Sequence, residues 1–232
     1  YANYDCMKNG FTIAYAASFG DPHFTDGSYR ILNQRLHNFK AIALRENLMI
    51  KYVQEHTSVP VQKVLDPTLL LVQSDYDTIC APRLNTGKYL LLYARRHNPA
   101  MTDFAEKFAK ENNWEVIEIS LNAKNAEKHR MFYEAGVEEF LSLVKNAEFI
   151  VTNSFHGMIL SVQYRRPFFV FSREQCDTKI QEVLAVMGIS ERLITAEPRE
   201  NRGIDYAEVH RKIAVLRDSS LAFLNKMLCM CP

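Results

Sequence analysis

The chain has 232 residues, of which 47% are hydrophobic and 24% charged, with 28 Lys and Arg against 27 Asp and Glu. This composition is typical of a soluble globular protein long enough for two modest domains. The net charge of +1 excludes a global field that would recruit nucleic acid or an anionic membrane, so any anion recognition has to be local. No apolar run approaches the ~20 residues that span a bilayer.

The first third of the chain alternates short apolar strands with helical patterns. The predicted elements are strand Phe11–Ala17, helix Tyr29–Phe39, strand Ala41–Leu44, a helix ending near His56 and strand Val61–Leu65. This β-α-β-α-β order predicts a parallel sheet covered on both faces. Turn-forming residues without strong periodicity follow between Val72 and Lys88, so we place a linker there.

A second alternation of strands and helices follows the linker. Its predicted elements are strand Tyr89–Tyr93, helix Pro99–Glu111, strand Glu115–Ile119, helix Val137–Lys145, strand Glu148–Val151, helix Phe155–Tyr164, strand Phe168–Phe171, helix Lys179–Met187 and a last helix, Tyr206–Leu228. The charged segment Asn122–Gly136 shows no convincing strand. We predict an α/β protein with a partial Rossmann-like domain in residues 1–80, a second one in 81–204, and a C-terminal helix in 205–232 that is long enough to pack across the domain junction.

The cysteines and the start of the chain indicate a reduced, cytoplasmic setting. The five cysteines are odd in number and scattered, which argues against a disulfide framework, and no paired Cys and His set completes a zinc site. The first residues show no basic segment followed by an apolar core, so no signal peptide is predicted. Because the chain starts at Tyr1 rather than at a methionine, we expect upstream residues to be missing.

The segment Val151–Gly157 (Val-Thr-Asn-Ser-Phe-His-Gly) is the most informative stretch. An apolar strand stops there at small polar residues, and Asn153 and Ser154 are good N-cap residues for the helix that follows. The first backbone amides of that helix would point out of the carboxyl end of the strand, where open α/β sheets bind anionic ligands. His156 would stand beside them, and the alternative is a capped histidine with a structural role.

Six segments at predicted turns and strand ends carry further information. They are Ala16–Gly20, Ala43–Glu46, Val64–Leu70, Val137–Leu141, Asn146–Gly157 and Arg166–Phe168. Taken in this order, they resemble the polysaccharide pyruvyl transferase family over about residues 11–188. The resemblance implies two Rossmann-like parallel-sheet domains facing a cleft, as in glycosyltransferase-B folds, and ketal transfer of pyruvate from phosphoenolpyruvate to a sugar of a polysaccharide or its lipid-linked precursor. Compared with a full-length member, we expect the N-terminal domain to be truncated.

Phosphoenolpyruvate carries a carboxylate and a phosphate, so a neutral protein has to concentrate positive charge around it. Arginine suits this task because its planar fork can pair with either group at two points. The arginines at predicted strand ends are the candidate donor-binding residues: Arg45, Arg95, Arg96 and Arg173. The alternative for Arg95 and Arg96 is a solvated charge at a strand end, and the alternative for Arg45, which precedes Glu46, is a structural ion pair.

His156 is the candidate catalytic residue, because the transfer needs a proton delivered to the methylene carbon and protons removed from sugar hydroxyls. The helix N-terminus would lower the pKa of His156. A bound phosphate would raise this pKa by more than the helix lowers it, since a unit charge at ~4 Å and an effective dielectric of ~20 is worth about 4 kcal/mol. We therefore predict a neutral histidine that becomes cationic when the donor binds. Gly157 would let the donor approach the backbone, while Ser154 and nearby amides, such as that of Phe155, would hold phosphate.

The remaining polar turns are weaker candidates. Ser18 and Gly20 are assigned to acceptor binding, although a capped turn explains them equally well, and Asp66–Thr68 reads as a structural Asx-type turn. Five further histidines lack metal-ligand spacing and are assigned to surface or packing roles: His23, His37, His97, His129 and His210. We predict no metal and no cofactor, with phosphoenolpyruvate as co-substrate and a glycan acceptor as partner, and the lipid-linked form of that acceptor would give peripheral membrane contact.

Two other functions remain open from the residues. A nucleotide-sugar glycosyltransferase of the same architecture would place a carboxylate against the ribose hydroxyls, and Glu174 is the candidate for that role. A non-catalytic anion- or glycan-binding protein would use the same cations without turnover. Replacement of His156 by alanine separates an enzyme from a binding protein, because only an enzyme has turnover to lose.

Overall fold

The computed structural model describes residues 4–20, 26–173, 177–195 and 201–231. Its first elements are α1 (Asp5–Asn9), β1 (Ile13–Ala17), α2 (Asp26–Leu36), β2 (Ala41–Leu44), α3 (Ile50–Glu55) and β3 (Val61–Lys63). Then follow α4 (Gln73–Asp77), β4 (Tyr89–Tyr93), α5 (Pro99–Glu111), β5 (Glu115–Ile119), β6 (Arg130–Met131), α6 (Val137–Asn146), β7 (Phe149–Thr152), α7 (Phe155–Gln163), β8 (Phe168–Phe171), α8 (Asp177–Met187), β9 (Leu193–Ile194) and α9 (Tyr206–Cys229). Short 3-10 turns cover Pro67–Leu69, Ala123–Glu127 and Ser190–Arg192.

The chain divides into two compact units. Unit 1 comprises residues 1–70 and 210–232 and holds a parallel sheet in the order β1-β2-β3. Unit 2 comprises residues 71–209 and holds a parallel sheet in the order β6-β5-β4-β7-β8-β9. The predicted α/β class with two parallel sheets is confirmed.

Central strands of both sheets are buried on both faces, which explains their continuous apolar sequences. Every residue of β2, β7 and β8 is buried. On one face of the unit 2 sheet, alternate residues of β4, β7 and β8 pack against Met101, Ala105 and Ala109 of α5. On the other face, the Tyr89 hydroxyl donates to the Leu143 carbonyl of α6 at 2.8 Å.

The unit boundary lies at Leu70–Leu71, before the predicted division at residues 80 and 81. The whole predicted linker, residues 72–88, belongs to unit 2. Gln163 Nε2 donates to the Leu71 carbonyl just before it at 2.9 Å, and Ser142 Oγ donates to the Pro82 carbonyl within it at 2.8 Å. The linker also contains helix α4. No strong apolar periodicity marks so short a helix, so the sequence offered little signal for it.

The last helix starts in unit 2, and its residues from His210 onward belong to unit 1. Ser220 Oγ accepts a hydrogen bond from the Leu65 backbone at 3.0 Å, and Arg217 Nε donates to the Leu69 carbonyl at 2.9 Å. This return explains why residues 205–232 do not form a separate unit.

The segment Asn122–Gly136 contains a strand that the sequence did not indicate. Strand β6 pairs with β5 through Ile117 and Glu118, and two residues are too few to show alternation. Strand β9 was missed for the same reason. Among the described residues, none of the helices combines the length and the apolar character needed to cross a membrane.

Candidate functional site

The carboxyl ends of β4 and β7 form the topological switch point of the unit 2 sheet, because the chain runs outward from β4 through β5 on one side and continues from β7 on the other. Asn153, 1% exposed, joins the two ends. Its Oδ1 accepts from the Arg95 backbone N–H at 2.8 Å, and its Nδ2 donates to the Arg96 carbonyl at 2.7 Å. The segment that carries both arginines is thereby fixed to the turn between β7 and α7.

Helix α7 begins at a capped turn that exposes one imidazole. Ser154 is the N-cap, and its Oγ accepts from the Gly157 N–H at 3.3 Å. Ser154 and Phe155 are both 5% exposed, whereas His156 is exposed. The Phe155 and His156 rings meet edge to face with 5.4 Å between centroids. The turn therefore presents His156 to solvent while its neighbours lie in the interior.

Packing requires a glycine at position 157. A Cβ built on Gly157 would lie 2.7 Å from Thr152 Oγ1 and 2.8 Å from Tyr93 Cδ1. Thr152 Oγ1 cannot yield easily, because it donates to the Tyr93 carbonyl at 2.7 Å and accepts from the Ser154 N–H at 3.0 Å. The direction in which a side chain would project faces protein, so the predicted approach of a donor is not what demands glycine here.

Several cations lie at this edge of the sheet. Arg95 and Arg96 follow β4 and are exposed, and neither forms an ion pair with another described residue. Arg173 follows β8, the strand next to β7, and is half-buried. Lys179, which the sequence reading did not select, holds its Nζ 5.5 Å from the centroid of the Phe155 ring. Four cationic side chains therefore lie at or near this edge in a chain whose net charge is +1.

A cavity of about 620 Å³ opens at the carboxyl ends of β4 and β5. Its walls include Arg95, Arg96 and His97 after β4, Ser120 and Asn122 after β5, and Tyr133 from the segment before α6. The volume lies within the range of roughly 300–1,000 Å³ that is typical of small-molecule sites.

Glu118 also lines this cavity, but its charge is compensated. Its Oε2 lies 2.5 Å from His129 Nδ1 and 2.9 Å from Asn125 Nδ2, and its Oε1 accepts from Ser120 Oγ. His129 Nε2 in turn faces Glu106 Oε1 at 3.3 Å. Burial alone would raise the pKa of Glu118, but these hydrogen bonds and the charge of His129 bring it below its ordinary value. The buried, paired carboxylate opposes an anionic ligand less than an unpaired one would.

Unit 1 carries its own polar network at the carboxyl ends of its strands. Ser18 Oγ donates to Glu46 Oε1 at 2.6 Å, Arg45 Nε donates to the same oxygen at 3.0 Å, and Arg45 also pairs with Asp66. Burial would raise the pKa of Asp66, but hydrogen bonds from Thr68 and the charge of Arg45 lower it overall. Two buried carboxylates balance Arg45, which favours the structural ion pair over a donor-binding role for this arginine.

A model of the polysaccharide pyruvyl transferase family matches residues 6–175. The chain belongs to the polysaccharide pyruvyl transferase family. A search of curated proteins finds no match.

Solved structures of other proteins show distant similarity to this pyruvyl transferase family member. One is UDP-GlcNAc 2-epimerase from Methanocaldococcus jannaschii in complex with UDP-GlcNAc and UDP, with 17% identity, a TM-score of 0.42, and coverage of 88% of this chain and 67% of that one. Another is the iron-containing dodecameric glycosyltransferase TibC from enterotoxigenic E. coli, with 12% identity, a TM-score of 0.34, and coverage of 94% and 77%. Similarity at this level bears on neither activity nor substrate.

The structure of this pyruvyl transferase family member separates the predicted site residues into two groups. Those in unit 2, at the ends of β4, β7 and β8, are Arg95, Arg96, Ser154, Phe155, His156, Gly157 and Arg173. Those in unit 1 are Ser18, Gly20 and Arg45, of which Gly20 adopts a φ of +62° that favours glycine. Glu174 and His23 lie outside the described residues. Within the described part of the chain, no three His, Cys, Asp or Glu side chains are grouped to hold a metal ion.

Sequence reading missed two features of the unit 2 group. The sequence predicts only a capping role for Asn153, because nothing local shows that its amide reaches the next strand. His97, for which the sequence predicts a surface or packing role, lies in the cavity wall with Nδ1 accepting from Asn122 Nδ2 at 3.2 Å. Its position directly after the two arginines was the available signal.

Proposed function

We propose that the protein transfers the pyruvyl group of phosphoenolpyruvate to two hydroxyl groups of a sugar in a polysaccharide or its lipid-linked precursor. The observation that carries this proposal is the double hydrogen bond of Asn153, which fixes Arg95 and Arg96 beside the turn that exposes His156. Family membership supports the same chemistry.

The donor would bind at the carboxyl ends of β4 and β7. Arg95 and Arg96 have uncompensated charges among the described residues, and each guanidinium fork can pair with the carboxylate or the phosphate of the donor at two points. Glu118 does not cancel this field, because His129, Ser120 and Asn125 already hold it. The two guanidinium groups would therefore offset much of the negative charge of the donor.

His156 would carry the proton transfers. A proton added to the methylene carbon makes the neighbouring carbon electrophilic, and the first sugar hydroxyl adds there and releases its own proton. The second hydroxyl then displaces phosphate, the carbon–oxygen bond to phosphate breaks, and the proton of that hydroxyl leaves with it. One imidazole that alternates between acid and base suits this sequence, since histidine changes its charge near neutral pH.

The test is phosphate release from phosphoenolpyruvate with a panel of glycan and lipid-linked glycan acceptors. We expect His156→Ala to lower the rate by about a hundredfold to ten-thousandfold while phosphoenolpyruvate still binds in calorimetry. His37, an exposed histidine of unit 1, provides the matched control, and His37→Ala should keep the wild-type rate.

The alternative functions give different results in the same experiments. A nucleotide-sugar glycosyltransferase would be stabilised thermally by a nucleoside diphosphate and not by phosphoenolpyruvate. A binding protein would take up phosphoenolpyruvate or glycan without releasing phosphate. Absence of phosphate release with every acceptor, together with absence of phosphoenolpyruvate binding, would reject the proposed reaction.

A further inference from the structure

The unit 2 cavity is larger than a three-carbon donor needs, and the part of its wall beyond the two arginines carries a different chemistry. We propose that this part, formed by His97, Leu121, Asn122 and Tyr133 and called here the β5 pocket, binds the sugar ring of the acceptor. The inference rests on the proposed function and adds to it an acceptor site in unit 2, where the sequence had suggested only Ser18 and Gly20 of unit 1.

The order of strands places the β5 pocket next to the donor site. Moving along the carboxyl edge of the sheet, the turn with His156 follows β7, the arginines follow β4, and Asn122 follows β5. Neighbouring strands lie ~4.8 Å apart, so a ligand over β5 is one strand from a donor held over β4 and β7. Reacting atoms have to approach to about 3–3.5 Å, and ligands on adjacent strands would start one strand spacing apart.

The walls of the β5 pocket suit a neutral sugar better than a second anion. Tyr133 is 56% exposed and Leu121 is 99% exposed, so an aromatic and an aliphatic side chain of the cavity wall are open to a ligand. A pyranose ring can lay its carbon–hydrogen face on such a surface while its hydroxyls reach polar groups. An anion would gain nothing from either side chain.

The polar groups of the β5 pocket are neutral donors and acceptors. Asn122 Nδ2 donates to His97 Nδ1 at 3.2 Å, which fixes the imidazole orientation and leaves its Nε2 for a ligand, together with the Asn122 side-chain oxygen. Ser120 is occupied, because its hydroxyl donates to Glu118 and accepts from the Asn122 backbone at 3.0 Å. Hydroxyl recognition in the β5 pocket therefore falls to His97 and Asn122.

The experiment measures sugar binding and turnover separately. Saturation-transfer NMR with methyl hexopyranosides that carry two neighbouring free hydroxyls, in the presence of phosphoenolpyruvate, reports binding on the full chain. Tyr133→Ala should reduce the sugar signal and raise the acceptor KM about three- to tenfold, the loss expected for one aromatic contact, while the KM for phosphoenolpyruvate stays within twofold of wild type. Asn122→Ala should also raise the acceptor KM. Tyr4→Ala, at an exposed tyrosine of unit 1, is the matched control and should change neither value.

Each outcome separates the two proposals. If the wild type binds phosphoenolpyruvate but gives no signal with any hexoside, or if Tyr133→Ala leaves the sugar signal and the acceptor KM unchanged, the β5 pocket is not the acceptor site, whereas the proposed donor chemistry stands. If phosphoenolpyruvate neither binds nor releases phosphate, the proposed function fails. A sugar signal lost in Tyr133→Ala in that case would still identify a glycan site.

Discussion

Replacement of Gly157 by alanine distinguishes two reasons for a glycine next to His156. If the donor approached the backbone there, the added methyl group would raise the KM for phosphoenolpyruvate and leave the fold intact. The geometry instead predicts damage to the fold, because the new Cβ would lie 2.7 Å from Thr152 Oγ1 and 2.8 Å from Tyr93 Cδ1.

The magnitude follows from what would have to move. Real Cβ atoms essentially never approach another heavy atom closer than 3.0 Å, and both neighbours belong to strands of the buried sheet, so the first turn of α7 has to shift. Overpacking of this kind costs about 1–3 kcal/mol. Loss of the Ser154 cap would add about 1 kcal/mol, and the better helix propensity of alanine would return up to about 1 kcal/mol. We therefore expect the free energy of unfolding to fall by about 2 kcal/mol.

Urea denaturation followed by tryptophan fluorescence measures this change, because Trp114 is the single tryptophan of the chain and lies in unit 2. Gly87→Ala is the matched control in the same unit. A Cβ on Gly87 would have only one neighbour, Asn85 Nδ2 at 3.8 Å, so that variant should remain within about 0.5 kcal/mol of wild type. A Gly157→Ala protein as stable as wild type would refute the packing argument.

Three further predictions concern the polar network of each unit. Asn153→Ala should raise the KM for phosphoenolpyruvate at least about tenfold, because two backbone groups after β4 lose their partner; Asn153→Asp, which keeps one acceptor, should fall between it and wild type in steady-state kinetics. Asp66 has a lowered pKa in the fold, so it stabilises unit 1 above its unfolded pKa of about 4, and this contribution disappears as the pH falls further. Asp66→Asn, which also weakens the pairing of Arg45, should therefore show a smaller loss of hydrogen-exchange protection in residues 1–70 between about pH 6 and about pH 3; an unchanged loss would contradict this assignment. His129→Phe should lower the free energy of unfolding by about 3 kcal/mol, because Glu118 stays buried without the imidazole of His129 beside it. The double variant with Glu118→Gln should recover part of the lost stability, and urea denaturation measures both values.

An element could be predicted from sequence when its own residues mark it, and not when it depends on pairing with a distant strand. Strands Ala41–Leu44, Tyr89–Tyr93, Glu115–Ile119 and Phe168–Phe171 and helix Pro99–Glu111 have the bounds predicted from sequence, because apolar runs and a capping Asn98 mark them locally. The two-residue strands β6 and β9 could not be predicted, since they exist only through pairing with β5 and β8.

The sequence by itself determined the α/β class, the alternation of elements, the family resemblance, and the choice of His156, Arg95 and Arg96 as candidates, because hydrophobic periodicity and turn chemistry are local properties. Only the tertiary structure decided that Asn153 joins β7 to the loop after β4, that packing demands Gly157, and that Arg45 is balanced by buried carboxylates. Hydrogen bonds and steric contacts between residues distant in the chain depend on strand order and register. Neither quantity is encoded at any single position, so both became visible only when the sheets were assembled.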